Sequence, residues 1–309
     1  MPDTSDTSAT HPLASLLTPD FLTSIARSHL PPDKSKHHNL SLEWIQAGPN
    51  FDSEETKAAW WTALVTISRI PLSEMPDMMS FLPPPADPAF PEQSLGLTLL
   101  LDQGPRLLCR GADGRWTDGF FGQVSQQLAH SWLALPAEQQ PNAWKRWEEA
   151  GASFEHWCLL HLFLSCPFVH SERLEDQDIA LEMTEERRKG AEQRSGETDP
   201  YREKRSEVLS DALAFPRVIR AGPPAGEDVT MQEWVFWSCM LFDVHWPIIK
   251  KFGKYPYRNA VLGRESTEEE VKWLEETKHF AEASPEVAER VEKDIKANRW
   301  TALKDEVPA

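Results

Sequence analysis

The chain has 309 residues, with 32 Lys and Arg against 49 Asp and Glu, a net charge of −17 and a pI near 5.0. An acidic envelope of that size repels polyanions at long range. It excludes a general nucleic-acid binder or a protein held on anionic membranes, while leaving room for a local basic patch. At 40 % hydrophobic and 26 % charged residues the chain reads as globular and able to bury a sizeable core, and 13 Trp against 3 Tyr predict a core or pocket built from aromatics.

Residues 1–12 are Ser/Thr/Asp-rich, carry no secretory pattern and read as disordered; 13–309 read as one domain. No run of 18 apolar residues occurs, so neither a membrane span nor stable membrane insertion is expected. Helices are predicted over 13–30, 40–47 and 54–70, the third opened by Ser53 and two glutamates. The proline-rich stretch 71–91 reads as a loop or lid. An apolar run at 95–108 follows, then helices over 120–135 and 143–149, an apolar helix from 154 through 163 that ends near Cys166-Pro167, and a helix over 172–182. Residues 182–207 hold 8 acidic and 7 basic side chains and read as a solvated, charged insertion. Further helices are predicted over 208–220 and 230–252, with a break at 221–228, and a final pair begins at Ser266 and after Ser284. In the 230–252 helix Trp234, Trp237, Leu241, His245 and Ile248 share one face. Runs of alternating β-branched residues are missing, so the fold class is all-α. Cys109, Cys158, Cys166 and Cys239 lie in apolar stretches without a CxxC pair, as buried thiols of a cytoplasmic protein do.

Three segments depart from the plain pattern of polar surface and apolar core. The first places Asp102, Gln103 and Arg106 inside the apolar run, where a charge needs a partner, a metal or a ligand. The plain alternative is an Asp102–Arg106 pair closing a helix. The second, 166–178, sets Glu172, Glu175 and Asp176 at i, i+3 and i+4 behind Ser171, so three carboxylates on one face call for a cation. The alternative is an acidic first turn answering the helix dipole, with His170 as a structural hydrogen-bonding residue. The third, 245–264, interleaves Lys250, Lys251, Lys254, Arg258 and Arg264 with aromatics in an otherwise acidic chain, which is the best anion-site signal in the sequence. These cations could instead pair with the acidic body. A carboxylate cluster, a basic cluster and an aromatic helix are together what a Mg²⁺–diphosphate site with an apolar tail pocket requires. Metal and cations stabilise a leaving diphosphate, and aromatic faces stabilise a carbocation. No Walker-type glycine loop or nucleophilic triad is present.

The same three segments resemble a known family. LLLDQGPRLLCRG is similar to the LLDQFPRNIYRG signature of the DUF924 family of TPR-like, all-helical proteins. CPFVHSERLEDQ resembles its MPFEHSEDLxxQ motif, and HWPIIKKFGKYPYRNAVLGRESTEEE its HxxIIxRFGRFPHRNxxLGRxSTxEE motif, in the same order over about residues 95–276. Gly104, Leu107, Val169, Arg173 and Tyr257 stand where the family has Phe, Asn, Glu, Asp and His, so the pocket is expected to differ. Such divergence resembles a fungal branch of atypical class I sesquiterpene cyclases of the humulene-forming type, although neither DDxxD nor an NSE-type motif is present.

That resemblance implies a TPR-like helical array and a Mg²⁺-dependent enzyme acting on a small prenyl diphosphate, farnesyl diphosphate. The expected metal ligands are Asp102, Glu172 and Asp176, with Arg106 and His170 also catalytic. Gln103, Lys251, Tyr257, Arg258, Asn259 and Arg264 are expected to bind the substrate head group, and Trp234, Trp237 and Trp246 its apolar part. The chain could form a homo-oligomer. The competing expectations are a TPR-like binding or scaffold protein without catalysis, and a metal-dependent phosphoester hydrolase.

Overall fold

A computed structural model describes residues 11–31, 33–35, 53–226 and 229–308. The disorder expected before residue 11 and the helix expected at 40–47 lie outside the described residues. Among those described there is no strand, and the chain forms one helical domain, as its composition predicts. No described helix is long and apolar enough to cross a membrane.

The predicted 13–30 helix is divided. Pro12–Ser15 is a single 3-10 turn, and Thr18 caps helix α1, Pro19–Ser28, through its side-chain oxygen. Helix α2 is Glu54–Ser68, capped by Ser53 as expected. The proline-rich stretch is packed down rather than free as a lid: Met78 is buried, and Leu72 and Phe81 rest on the main core. Pro91 falls in the first turn of α3, Phe90–Thr98. Gly96 lets α1 and α3 cross at close range, since a Cβ there would overlap the Leu22 carbonyl.

Helix α3 continues through a π-helical turn, Leu99–Gln103, into α4, Gly104–Leu108. A second π turn, Thr117–Phe121, leads into α5, Gly122–Leu133. Helix α6, Phe154–Val169, runs slightly past the end expected near Cys166-Pro167 and carries Pro167 in its last turn, where it removes one i→i−4 hydrogen bond. Helix α7, Leu174–Ser195, starts two residues later than expected, so Glu172 lies ahead of it.

The charged stretch is solvated along one side, with Glu182, Glu186 and Lys189 exposed, but not throughout. Arg187 and Arg188 of α7 are fully buried against α8, Met231–Asp243. The expected 230–252 helix breaks at Val244–His245, and α9 restarts at Trp246–Phe252 with Pro247 in its first turn. Capping boxes at Thr230 and Thr267 open α8 and α10, Glu268–Glu276, while Ser284 caps α11, Pro285–Lys296.

Two apolar clusters result. The larger takes its side chains from α1 to α8 and includes Trp60, Trp132 and Trp157. The smaller holds Phe215, Ile248, Tyr255 and Trp273. The chain crosses from one to the other around residues 168–177 and 244–258, and a polar cleft opens along that seam.

Candidate functional site

The cleft is a cavity of about 390 Å³, lined by Asp118, His130, His170, Glu172 and Arg258, with Gly122, Gln123, Gln126 and Gln127 along the α5 side. Two acids reach this region from π turns, whose widened backbone often marks functional sites. The first π turn follows from Pro105. Its ring removes an N–H and crowds the carbonyl four residues back, so the Gly104 N–H bonds Leu99 O instead, and Asp102 points into the interior. The second closes with the Gly122 N–H on Thr117 O and presents Asp118.

From these turns a row of alternating charges crosses the seam. Asp102 Oδ2 lies 3.7 Å from Arg106 Nε, and Arg106 Nη2 donates to Asp118 Oδ1 at 2.9 Å. Asp118 Oδ2 is 3.0 Å from Arg258 Nε, and Arg258 Nη1 is 3.8 Å from Glu172 Oε1. Glu172 then receives both Nη groups of Arg264, at 2.6 and 3.0 Å, and the Tyr255 N–H at 2.9 Å. Three carboxylates and three guanidiniums thus join all three sequence motifs. The row is not saturated, because the Nε atoms of Arg106, Arg258 and Arg264 have no aligned hydrogen-bond acceptor. Arg258 is only 4 % exposed, donates to His170 O at 2.8 Å and lies 4.2 Å over the Tyr255 ring.

Burial alone would push the Asp102 carboxyl up, but His170 and Arg106 beside it hold it at about 2. Asp118 is likewise below the usual carboxylate range, burial being outweighed by Arg258 and Arg106. Burial and the Arg106 charge push His170 down, so its contact with Asp102 at 2.9–3.0 Å is a hydrogen bond from an uncharged imidazole to a carboxylate rather than an ion pair. With Asp102 ionised, Nδ1 carries the proton and Nε2 is left as an acceptor. His130 repeats the pairing: its Nε2 lies 2.8 Å from Asp176 Oδ1, while Ser171 Oγ donates to Asp176 Oδ2 at 2.6 Å. The cleft therefore has two carboxylate–histidine pairs on its walls.

The expected residues divide clearly. Asp102, Arg106, His170, Glu172, Arg258 and Arg264 come together, and Tyr257 stands beside them with Arg258 5.7 Å over its ring. Gln103 only donates to Asp102. Asp176 is wholly buried with both oxygens committed, and Glu175 is exposed, so the acidic trio does not share one face. Lys251 pairs with Glu269 beside a separate hollow, and buried Asn259 braces the loop through Ser266 and Glu270. Trp234 and Trp237 belong to the main core, and the Trp246 indole donates to Asp178, so none of the three lines the cleft. Asp118 and His130 were missed: Thr-Asp-Gly-Phe reads as an ordinary turn, and a lone His on an amphipathic helix carries no signal.

Among the described residues, one set of metal-type ligand atoms converges: Asp102, Cys166 and His170. The expected set of Asp102, Glu172 and Asp176 does not. The converging set does not fit a resident ion, because Asp102 is already matched by His170, Arg106 and Gln103, and burial pushes the Cys166 thiol well up. The carboxylates on the cleft wall itself are Asp118 and Glu172, matched by Arg106 and Arg258 and by Arg264 and the Tyr255 N–H respectively; hard divalent cations are commonly held by one or two carboxylates plus ligand phosphates.

Over residues 33–278 the chain matches the family described as "Bacterial protein of unknown function (DUF924)", and it belongs to that family. No curated protein and no solved structure matches it.

Proposed function

We propose that this DUF924-family chain is a Mg²⁺-dependent, atypical class I sesquiterpene cyclase. It would convert farnesyl diphosphate to a humulene-like cyclic hydrocarbon by ionising the diphosphate. The observation that carries the proposal is the row of alternating charges, Asp102 to Arg264, which joins three sequence-distant motifs and runs past a cleft lined by Asp118, Glu172 and Arg258. Arg258 and Arg264, with Arg106 behind them, grip diphosphate oxygens and stabilise the charge that develops as the carbon–oxygen bond opens. Asp118 and Glu172 hold Mg²⁺, which when bound supplies charge neutralisation for the departing group. Tyr257, packed against Tyr255, Phe215 and Phe280, gives the aromatic face nearest the arginines. His170, kept neutral with its proton on Nδ1, offers Nε2 as the acceptor for the proton lost when the hydrocarbon forms.

A second reading, hydrolysis of a smaller phosphoester, is favoured by the amide wall of Gln123, Gln126 and Gln127, which suits a hydrophilic ligand. One incubation separates the two. With farnesyl diphosphate and Mg²⁺, the cyclase yields a volatile C15 hydrocarbon by gas chromatography–mass spectrometry. Phosphate or diphosphate release without hydrocarbon selects the hydrolase. No turnover and no diphosphate binding by folded protein would leave a helical binding or scaffold protein.

A further inference from the structure

Among the described residues, every arginine that is not exposed has a carboxylate within ion-pair reach, with two exceptions, Arg146 and Arg187. Arg187 is fully buried against the Phe242 ring. Arg146 instead lines a cavity of about 360 Å³ that shares no lining residue with the seam cleft. We infer that this second cavity is a binding site for a small carboxylate carried on an apolar chain, separate from the function proposed for the cleft. Its size lies within the range of small-molecule sites, about 300–1,000 Å³. Its walls come mainly from Leu30, Pro31, Pro88, Pro91 and Trp147, which offer an apolar body shelter from water.

The charge of Arg146 is held in place but not matched. In the short helix Trp144–Glu149, its terminal nitrogens donate to Gln139 O at 2.7 Å and Asp87 O at 2.9 Å, and its guanidinium lies 5.5 Å from the centre of the Phe90 ring. Carbonyls and a ring face bring dipoles, not a counter-charge. Burial lowers the proton affinity of the group, against the opposing pull of Asp87. Each terminal nitrogen keeps a second N–H, and Nε has its own, so the guanidinium can still take a carboxylate. Exposed Lys34, which also lines the cavity, has no carboxylate within ion-pair reach among the described residues. The acid in the lining, Glu92, is taken by Arg27 at 2.8 Å. A chain of net charge −17 thus sets two unmatched cations beside one apolar hollow. A single half-buried guanidinium suits a single negative charge, and Glu92 and Asp87 nearby oppose a dianion, so a phosphate monoester fits less well.

Isothermal titration of the full chain with octanoate, acetate, octanol and octyl phosphate, each below the concentration at which it aggregates, tests the inference. Octanoate should bind at least tenfold more tightly than acetate, because the walls take up its chain, and at least tenfold more tightly than octanol, because the head group needs its charge. Octyl phosphate should bind more weakly than octanoate. Arg146→Gln should weaken octanoate at least tenfold. Ala150→Glu sets an acid at an exposed lining position, should weaken octanoate as much, and serves if Arg146→Gln does not fold. Lys251→Ala and Arg258→Ala, outside this cavity, should leave octanoate affinity within twofold of wild type. Octanol bound as tightly as octanoate, or both cavity variants binding like wild type, would overturn the inference. So would loss of octanoate binding on Arg258→Ala, which would move the ligand to the cleft. Octyl phosphate bound more tightly than octanoate would overturn the assignment of a carboxylate. Absence of octanoate binding by folded wild type would remove the site and leave the cyclase reading, which rests on the other cavity, where it stood.

Discussion

Two ion networks run through this protein, and they are finished differently. Around Arg188, in α7, Asp199, Asp243 and Glu185 close in at 2.5–2.8 Å, and Arg202 and Arg205 add a second layer of pairs. Both Asp199 and Asp243 are buried, none of these residues lines the cleft, and the Nε and both terminal nitrogens of Arg188 have carboxylate acceptors. The row from Asp102 to Arg264 has equal numbers of acids and bases, yet its arginines keep unfilled Nε donors and its middle faces a cavity. Density of charge therefore does not mark a site. What separates brace from site is unfinished bonding next to open volume.

The largest expected effect falls on the closed network. Arg188→Ala strips the main cation from buried Asp199 and should cost about 3–5 kcal/mol in urea unfolding. Arg258→Ala should cost less, under about 3 kcal/mol, because Asp118 keeps Arg106 and the cleft admits water. Its main effect should be loss of diphosphate binding. A larger stability loss at Arg258 than at Arg188 would reverse the comparison.

Acid should act through the buried histidines. Burial holds His245, at the junction of α8 and α9, at about 3, and His29, stacked on Trp60 in the main core, at about 4, against an ordinary 6.5. Both values are depressed, so the unfolded chain takes up protons first. Stability from these groups is full above pH 6.5 and declines as pH falls toward 3 for His245 and toward 4 for His29. His245→Gln should flatten that decline by up to about 1.4 kcal/mol per pH unit, read from melting curves between pH 7 and 4.5. An unchanged slope would mean that His245 is not held neutral.

Asn259→Ala should cost about 1–2 kcal/mol through Glu270 and Ser266, with diphosphate affinity unchanged. Lost binding there would return Asn259 to the site. The smallest effect is expected at Lys251, whose exposed pair with Glu269 should contribute under about 1 kcal/mol, and Lys251→Ala should leave binding intact.

Much of the fold was legible, because helix starts are written in short-range chemistry. Ser53 and Ser284 cap where they were expected to, and Pro136 lies just past the end of α5. Burial was harder to read. Glu185 to Arg194 looks like a solvated face because composition cannot tell that Asp199 and Asp243 supply partners from outside the helix. One-face spacing placed Trp234 and Trp237 together correctly, but not the direction in which that face points, which is the main core. At the site, the sign reversal at 250–264 led to Arg258 and Arg264, whereas Lys251 and Lys254 took the plain alternative and pair with Glu269 and Glu270. Asp118 could not have been found from spacing, because its role comes from a π turn meeting two arginines distant in sequence.

The central claim is that Arg106, Arg258 and Arg264 form an anion site with Asp118 and Glu172 beside it. A crystal structure of the chain soaked with diphosphate and Mg²⁺ tests it most directly. Diphosphate density within hydrogen-bond reach of Arg258 and Arg264, with Asp118 and Glu172 turned from the arginines toward the cation, is the predicted result. Diphosphate bound instead at the cavity beside Arg27, Lys34 and Arg146, with the charged row unchanged, would contradict it.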